Sequence, residues 1–206
     1  MSVGPKMQIY GKMFIPNLKK YFLFLDIIHE QDFIVKYTPE FKSLAGLKNL
    51  EYLSIRLARL FDTSFQNLIN LKHLSVCQCD FKGIDSQAFR FIPNLEVLKM
   101  REAKNHGHMD FSHLRHLKWL EIGGIKTFRE DKFPETISNS LEVLYVSSLS
   151  NINAFIDALV KSSCRPSVLH VEGSKMIHFD AKPLRDLTNF KHLGITHSSL
   201  NTVNLD

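Results

Sequence analysis

The sequence predicts an α/β solenoid, with a parallel β-sheet along its concave face and mostly loop or short-helix returns on its convex face. Three observations predict it. One apolar frame recurs along the chain at intervals of about 21 to 25 residues, a period that marks stacked structural repeats. Each copy ends in an alternating apolar pair, the period of a strand with one buried face. Each is followed by a second apolar cluster that can close the other side of a core.

The frame reads Leu50-x-x-Leu53-x-Ile55, Leu71-x-x-Leu74-x-Val76, Leu95-x-x-Leu98-x-Met100, Leu117-x-x-Leu120-x-Ile122 and Leu141-x-x-Leu144-x-Val146. Two looser copies follow, Val168-Leu169-x-Val171 and Phe190-x-x-Leu193-x-Ile195. The returns carry Phe65 and Leu68, then Ile84, Phe89 and Ile92, then Phe111 and Leu114, then Phe133 and Ile137. Phe155, Ile156 and Leu159 come next, followed by Phe179, Leu184 and Leu187. Many of the 16 Phe fall in these returns, and burying each large side chain contributes on the order of 1.5 to 3 kcal/mol. Asn153 to Ser162 reads as a short helix.

The whole chain, residues 1–206, reads as one domain of about eight repeats, with regular repeats over 42–198, a degenerate N-terminal repeat or cap over 1–41 and a truncated last repeat over 199–206. Near the start, Phe14-Ile15-Pro16-Asn17-Leu18 matches Phe91-Ile92-Pro93-Asn94-Leu95 residue for residue. That match puts Leu18, Tyr21 and Leu23 in frame, while Phe22-x-x-Leu25-x-Ile27 competes for the same register.

Composition narrows the function classes. A 44% hydrophobic and 23% charged chain is that of a folded globular protein. The net charge of +5 is mild and is not concentrated in a long like-charged run. Three cysteines make neither a disulfide framework nor a cysteine-only zinc site. No run approaches the ~18 apolar residues of a membrane helix, and residues 1–20 lack the continuous apolar core of a signal peptide. No Asn-x-Ser/Thr acceptor occurs, which leans toward the cytosol. There is no Gly-x-Ser-x-Gly elbow, Walker lysine loop or Gly-x-Gly-x-x-Gly fingerprint. No enzyme, cofactor or catalytic residue is expected.

The stretch Leu71 to Met100 carries strand, apolar-x-x-Ile, Ala-Phe and next strand in that order. It resembles the leucine-rich repeat of animal extracellular proteins, as in Toll-like receptor ectodomains, and the resemblance implies a leucine-rich-repeat horseshoe. Where that family usually places an inward Asn, this chain has Ala58, Cys79, Ala103, Ile125, Leu149, Ser174 and Ser198, of which Cys79 and the serines are ordinary substitutes. The resemblance implies a protein-binding module, a receptor ectodomain segment in signalling or innate recognition. The alternative is an intracellular adaptor, an F-box-type substrate receptor or regulatory scaffold. The compartment stays open between these two.

Strand alternation sends three columns of side chains out from the concave wall. The first holds Tyr52, His73 and Trp119; the second holds Lys99, Glu121, Tyr145 and His170; the third holds Arg56, Arg101 and Glu172. These ten are the expected ligand-contact residues, with Trp119 and Tyr145 at mid-array as the anchors, since aromatic and Arg side chains dominate binding hot spots. A protein is the expected ligand. Nucleic acid is not, because Glu121 and Glu172 interrupt the basic surface. The cluster His106, His108, His113 and His116 has zinc-like spacing, but its frame places His113 and His116 on the outside, so no metal is expected. Alternation also puts Cys77 on the concave face and turns Cys79 inward.

Overall fold

A computed structural model describes residues 8–10, 21–26, 40–41, 48–84, 87–104, 111–124 and 137–204. Its strands in chain order are β1 (Gln8–Tyr10), β2 (Tyr21–Asp26), β3 (Glu40–Phe41), β4 (Leu50–Arg56), β5 (Arg59–Phe61), β6 (His73–Cys77) and β7 (Asp80–Gly83). They continue as β8 (Val97–Arg101), β9 (Trp119–Gly123), β10 (Val143–Ser147), β11 (Val168–Glu172), β12 (Lys175–Asp180), β13 (His192–Thr196) and β14 (Ser199–Asn204).

The main sheet runs β1-β2-β4-β6-β8-β9-β10-β11-β13. All of its pairs are parallel except β1 with β2. Leu53, Leu74, Leu98, Leu120, Leu144, Leu169 and Leu193 lie opposite one another across successive strands. With Ile55, Val76, Met100, Ile122 and Val146 they form the inner face, and all of these but Leu193 are buried. At the first repeat Leu23 pairs with Leu53 and Leu25 with Ile55, past a bulge at Tyr21 and Phe22. Both frames read from the sequence miss this register by two residues, a slip that leaves strand alternation unchanged and so could not be settled by hydrophobic pattern alone.

The returns fill the other side of one continuous core. Phe65 stacks on Phe89 at 6.3 Å and Phe89 on Phe111 at 5.4 Å. Of the return residues read from the sequence, Ile84 is only partly buried and Phe133 lies outside the described residues. Phe81 and Leu60 are fully buried but fall outside the expected set. The helix is α1 (Ile152–Lys161), with Ile152, Phe155, Ile156 and Leu159 on its buried face. Asn151 caps it by accepting the Ala154 N–H at 3.0 Å, and the Asn153 side-chain amide donates to the His178 carbonyl at 3.1 Å. Short 3-10 turns serve Asp62–Phe65, Ala88–Phe91 and Lys182–Asp186.

The descending segments differ from expectation in being partly strand. β3, β5 and β7 form a second parallel sheet, and β12 pairs with β14. The cause is a conformation repeated at the end of each main-sheet strand from β4 onward. Leu57, Gln78, Glu102, Gly124, Ser148, Gly173 and His197, each one residue past its strand, all have φ between 50° and 63°. The N–H groups of Leu57, Gln78, Glu102, Ser148 and Gly173 are donated at 2.7–3.0 Å to the last strand carbonyl of the next repeat, on Cys77, Arg101, Gly123, Glu172 and Thr196. Identical turns at identical positions carry the chain off in the same direction in neighbouring repeats. Short extended segments then face one another and pair, as Asp80 N–H to Ala58 carbonyl does at 2.8 Å.

Two polar ladders complete the repeat. At the position one residue past each left-handed turn, the Cys79 thiol meets the Ile55 carbonyl at 3.6 Å. The Ser174 hydroxyl accepts the Leu149 N–H at 3.0 Å, and the Ser198 hydroxyl accepts the Ser174 N–H at 3.1 Å. Ala58, Ala103 and Leu149 fill the same position without a side-chain bond and are buried. At strand entry, the amides of Asn70 and Asn94 donate to the carbonyls of Lys48 and Ile69 at 2.9 and 2.8 Å. Ser140 donates to the Arg115 carbonyl at 3.1 Å.

Gly173 isolates the cost of the turn, because a Cβ there meets nothing within 4 Å. Gly173→Ala is expected to lower stability by about 1 kcal/mol through backbone strain alone, read as a fall in the urea midpoint at unchanged m-value. An unchanged midpoint contradicts the requirement for a left-handed residue.

Candidate functional site on the concave wall

The parallel register aligns the exposed side chains into the three expected columns. Tyr52, His73, Val97, Trp119, Val143, Val168 and His192 are successive partners. So are Ser54, Ser75, Lys99, Glu121, Tyr145, His170 and Gly194. Arg56, Cys77, Arg101 and Gly123 head the third column, and Ser147, Glu172 and Thr196 end it.

The ten expected contact residues fall into two groups. In the first, Tyr52 and His73 stack face to face at 4.2 Å, and the Lys99 ammonium stands 5.6 Å from the centre of the Trp119 ring, within cation–π range. Glu121 is the correction: instead of presenting a carboxylate to a ligand it is 2% exposed. Its neighbours explain the burial, since Arg101 hydrogen-bonds it and the Lys99 ammonium lies 3.9 Å away. Their side chains stay 60% and 44% exposed, so Glu121 anchors two cations whose heads still face solvent. That hydrogen bond raises the Arg101 pKa above its ordinary value. Arg56 is exposed, its Nε 3.4 Å from the Gln78 side-chain oxygen. The Trp119 indole N–H is buried and has no hydrogen-bond partner among the described residues.

In the second group Tyr145 stacks on His170 at 4.7 Å and 8°, and the Tyr145 hydroxyl donates to Glu172. His197 Nδ1 lies 3.5 Å from the same carboxylate, and His170 Nε2 lies 3.0 Å from the Thr196 hydroxyl. Gly194 allows the His170 ring to lie along the sheet, since a Cβ there would stand 2.4 Å from Nδ1. With Glu121 closed beneath two cations, one of the two carboxylates expected to interrupt the basic surface is covered, while Glu172 stays 39% exposed, so the sequence argument against nucleic acid rests on Glu172 alone.

Depressions mark the surface of the described residues at two places on and beside the wall. One, of about 270 Å³, is floored by Tyr52, His73, Val97 and Lys99 with Ser54 and Ser75. The other, of about 310 Å³, lies on the flank at strand entry among Glu51, Lys72, Glu96, Lys118, Asn94 and His116. There Lys72 and Glu51 pair at 3.7 Å and Lys118 and Glu96 at 3.0 Å. The latter bond lowers the Glu96 pKa and raises that of Lys118. This zipper escaped the sequence reading although its signal was present: the residue after the first Leu of successive frames is Glu51, Lys72, Glu96, Lys118 and Glu142. In the histidine cluster His113 and His116 are exposed, and His106 and His108 lie outside the described residues. Cys77 is half-buried on the concave face and Cys79 is buried beneath it. Burial pushes the Cys79 and Cys164 thiols up to about 11 and about 12, which leaves both protonated and unreactive at neutral pH. Among the described residues no helix is long and apolar enough to cross a membrane.

Parallel strands at this period, left-handed turns after the main-sheet strands from β4 onward and the stack of Phe65, Phe89 and Phe111 define a leucine-rich-repeat solenoid. Comparison with solved structures agrees on the fold. TLR13, in a structure entitled a TLR13–ssRNA13 complex, superposes with a TM-score of 0.62 at 22% identity over 79% of this chain. The chain spans 24% of the length of that protein. An internalin (inlF) from Listeria monocytogenes str. 4b F2365 aligns at TM-score 0.45 and 15% identity, over 89% of this chain and 55% of its own. No protein-family description and no curated protein matches the sequence.

His73 links the wall to pH. Burial is the main cause that lowers its pKa below 6.5, so the unfolded chain takes up its proton before the folded one does. The contribution is fully present above pH 6.5 and is lost as pH falls below it. Urea midpoints taken from about pH 7.5 to about pH 5.5 are expected to fall less steeply for His73→Phe, which keeps a ring against Tyr52, than for the unaltered chain. Equal slopes rule His73 out as a contributor.

Proposed function

We propose that the chain is a protein-binding module that holds its ligand against the concave wall. The observation that carries this reading is the mid-wall group of Trp119, Lys99 and Arg101, in which a buried carboxylate fixes two exposed cations beside the only tryptophan. Anchors mounted on hydrogen-bonded strands lose little conformational entropy on binding. The resemblance of Leu71 to Met100 to extracellular repeats favours a segment of a Toll-like or related receptor ectodomain acting in signalling or innate recognition. An intracellular adaptor of the F-box or scaffold type uses the same wall and is the alternative.

A second reading, single-stranded RNA, is favoured by the two flat stacks, Tyr52 on His73 and Tyr145 on His170, since bases stack on such faces beside cations. The structural neighbour TLR13 is described in complex with ssRNA13.

Affinity capture from native lysate and from native extracellular fluid tests both readings, using the chain beside a Trp119→Ala, Tyr145→Ala variant of unchanged circular dichroism. The expected outcome is a protein captured by the unaltered chain, lost in the variant and retained after ribonuclease treatment. Loss on ribonuclease treatment supports RNA instead. Capture of the same set by both chains places binding on the convex face or flanks and overturns the wall as the site.

A further inference from the structure

We propose that the N-terminal half of the concave wall is the docking site of an acidic peptide that carries an aromatic side chain. The proposal rests on the protein-binding reading and adds the partner's chemistry. Across β4, β6 and β8 the first column supplies Tyr52, His73 and Val97, which floor the 270 Å³ depression. The Tyr52–His73 stack is flat, and burial holds the imidazole uncharged at neutral pH, so the floor is an aromatic platform and not a cationic one. A planar side chain of the ligand gains dispersion and desolvation there.

Three cations project from the strands of this half of the wall, and Lys99 among them lines the depression. Arg56 is exposed at the end of β4, and Lys99 and Arg101 project from β8 with 44% and 60% of their side chains exposed. Two carboxylates accompany them among the described residues: Glu121, closed beneath Lys99 and Arg101, and Glu102, exposed just past β8, which accepts the Gln78 side-chain amide at 2.8 Å. Glu121 cannot reach a ligand, yet it holds Lys99, which lines the depression, and Arg101 farther along the same strand. A basic ligand meets three like charges here. An acidic one meets complementary heads already fixed in place, which raises both specificity and association rate. The C-terminal half is unsuited to the same role, because Tyr145 and His170 are tied to Glu172 and Thr196.

Fluorescence anisotropy with four labelled probes tests this: the peptide Glu-Glu-Tyr-Glu-Glu, its Lys-Lys-Tyr-Lys-Lys counterpart, Glu-Glu-Ala-Glu-Glu, and a single-stranded RNA of similar charge. The acidic tyrosine peptide is expected to bind saturably, about tenfold more tightly than the lysine or alanine peptide, and to weaken by a similar factor in Lys99→Gln and in Arg56→Ala. Arg56 is exposed and remote from Glu121, so its variant keeps the test valid should Lys99→Gln disturb folding, which circular dichroism reports. Equal binding of acidic and basic peptides, tighter binding of the RNA, or indifference to Arg56→Ala overturns the proposal. If the peptide fails while the Trp119 and Tyr145 variant still loses its captured protein, the acidic-ligand proposal falls and the protein-binding wall stands.

Discussion

The turn after each concave strand governs this molecule. One residue in the left-handed region ends every described strand from β4 onward in the main sheet, and five of these residues, Leu57, Gln78, Glu102, Ser148 and His197, carry side chains. Each such residue costs roughly 1–2 kcal/mol of steric strain. The cost is tolerated because the turn brings one N–H onto the next repeat's carbonyl and delivers the return with its large apolar residues inward. Each fully buried Leu or Phe contributes on the order of 1.5–3 kcal/mol, and several accompany every turn, so packing prevails over strain.

From that constraint the functional surface follows. Because all turns are alike, the strands start and stop at matched positions, and their exposed residues form straight columns instead of a staggered field. Column one is aromatic or aliphatic at its first six positions, Tyr52 through Val168. Columns two and three carry Lys99, Arg56 and Arg101, and the strand-entry flank carries the alternating Glu51, Lys72, Glu96, Lys118 and Glu142 ladder. An apolar stripe bordered by cations on one side and by self-paired charges on the other is a directional surface: a ligand can be read across strands in one orientation. Glu121 makes that border firm, since the carboxylate beneath Lys99 and Arg101 fixes them without cancelling their exposure.

Much of this was legible in the sequence, for physical reasons. A solenoid writes its core as a period, so Leu53 through Leu193 could be aligned before any strand was known, and alternation then assigned every column member. Cys79 and Ser174 could be placed inward by the same count. The N-terminal register could not be, because a slip of two residues preserves inward and outward faces and Leu23, Leu25 and Ile27 satisfy several frames equally. The second sheet was hidden for another reason: pairing of β5 with β7 arises from repeated turn geometry at Leu57 and Gln78, residues with no left-handed preference. The closing of Glu121 depended on Arg101 and Lys99 one strand away, a contact that column assignment indicates but burial alone reveals. The charge zipper is written in the residue that follows the first Leu of each frame, where Glu and Lys alternate from Glu51 to Glu142.

The most direct measurement exploits the single tryptophan. Its indole N–H gives one resonance, arises from the middle of the wall, and has no hydrogen-bond partner among the described residues. Adding the captured partner to the isotope-labelled chain is predicted to shift or broaden that one signal in proportion to occupancy, while amides of the α1 helix on the opposite side stay in place. Saturated binding with the indole resonance unmoved and the α1 amides shifted would contradict the concave wall as the site of recognition.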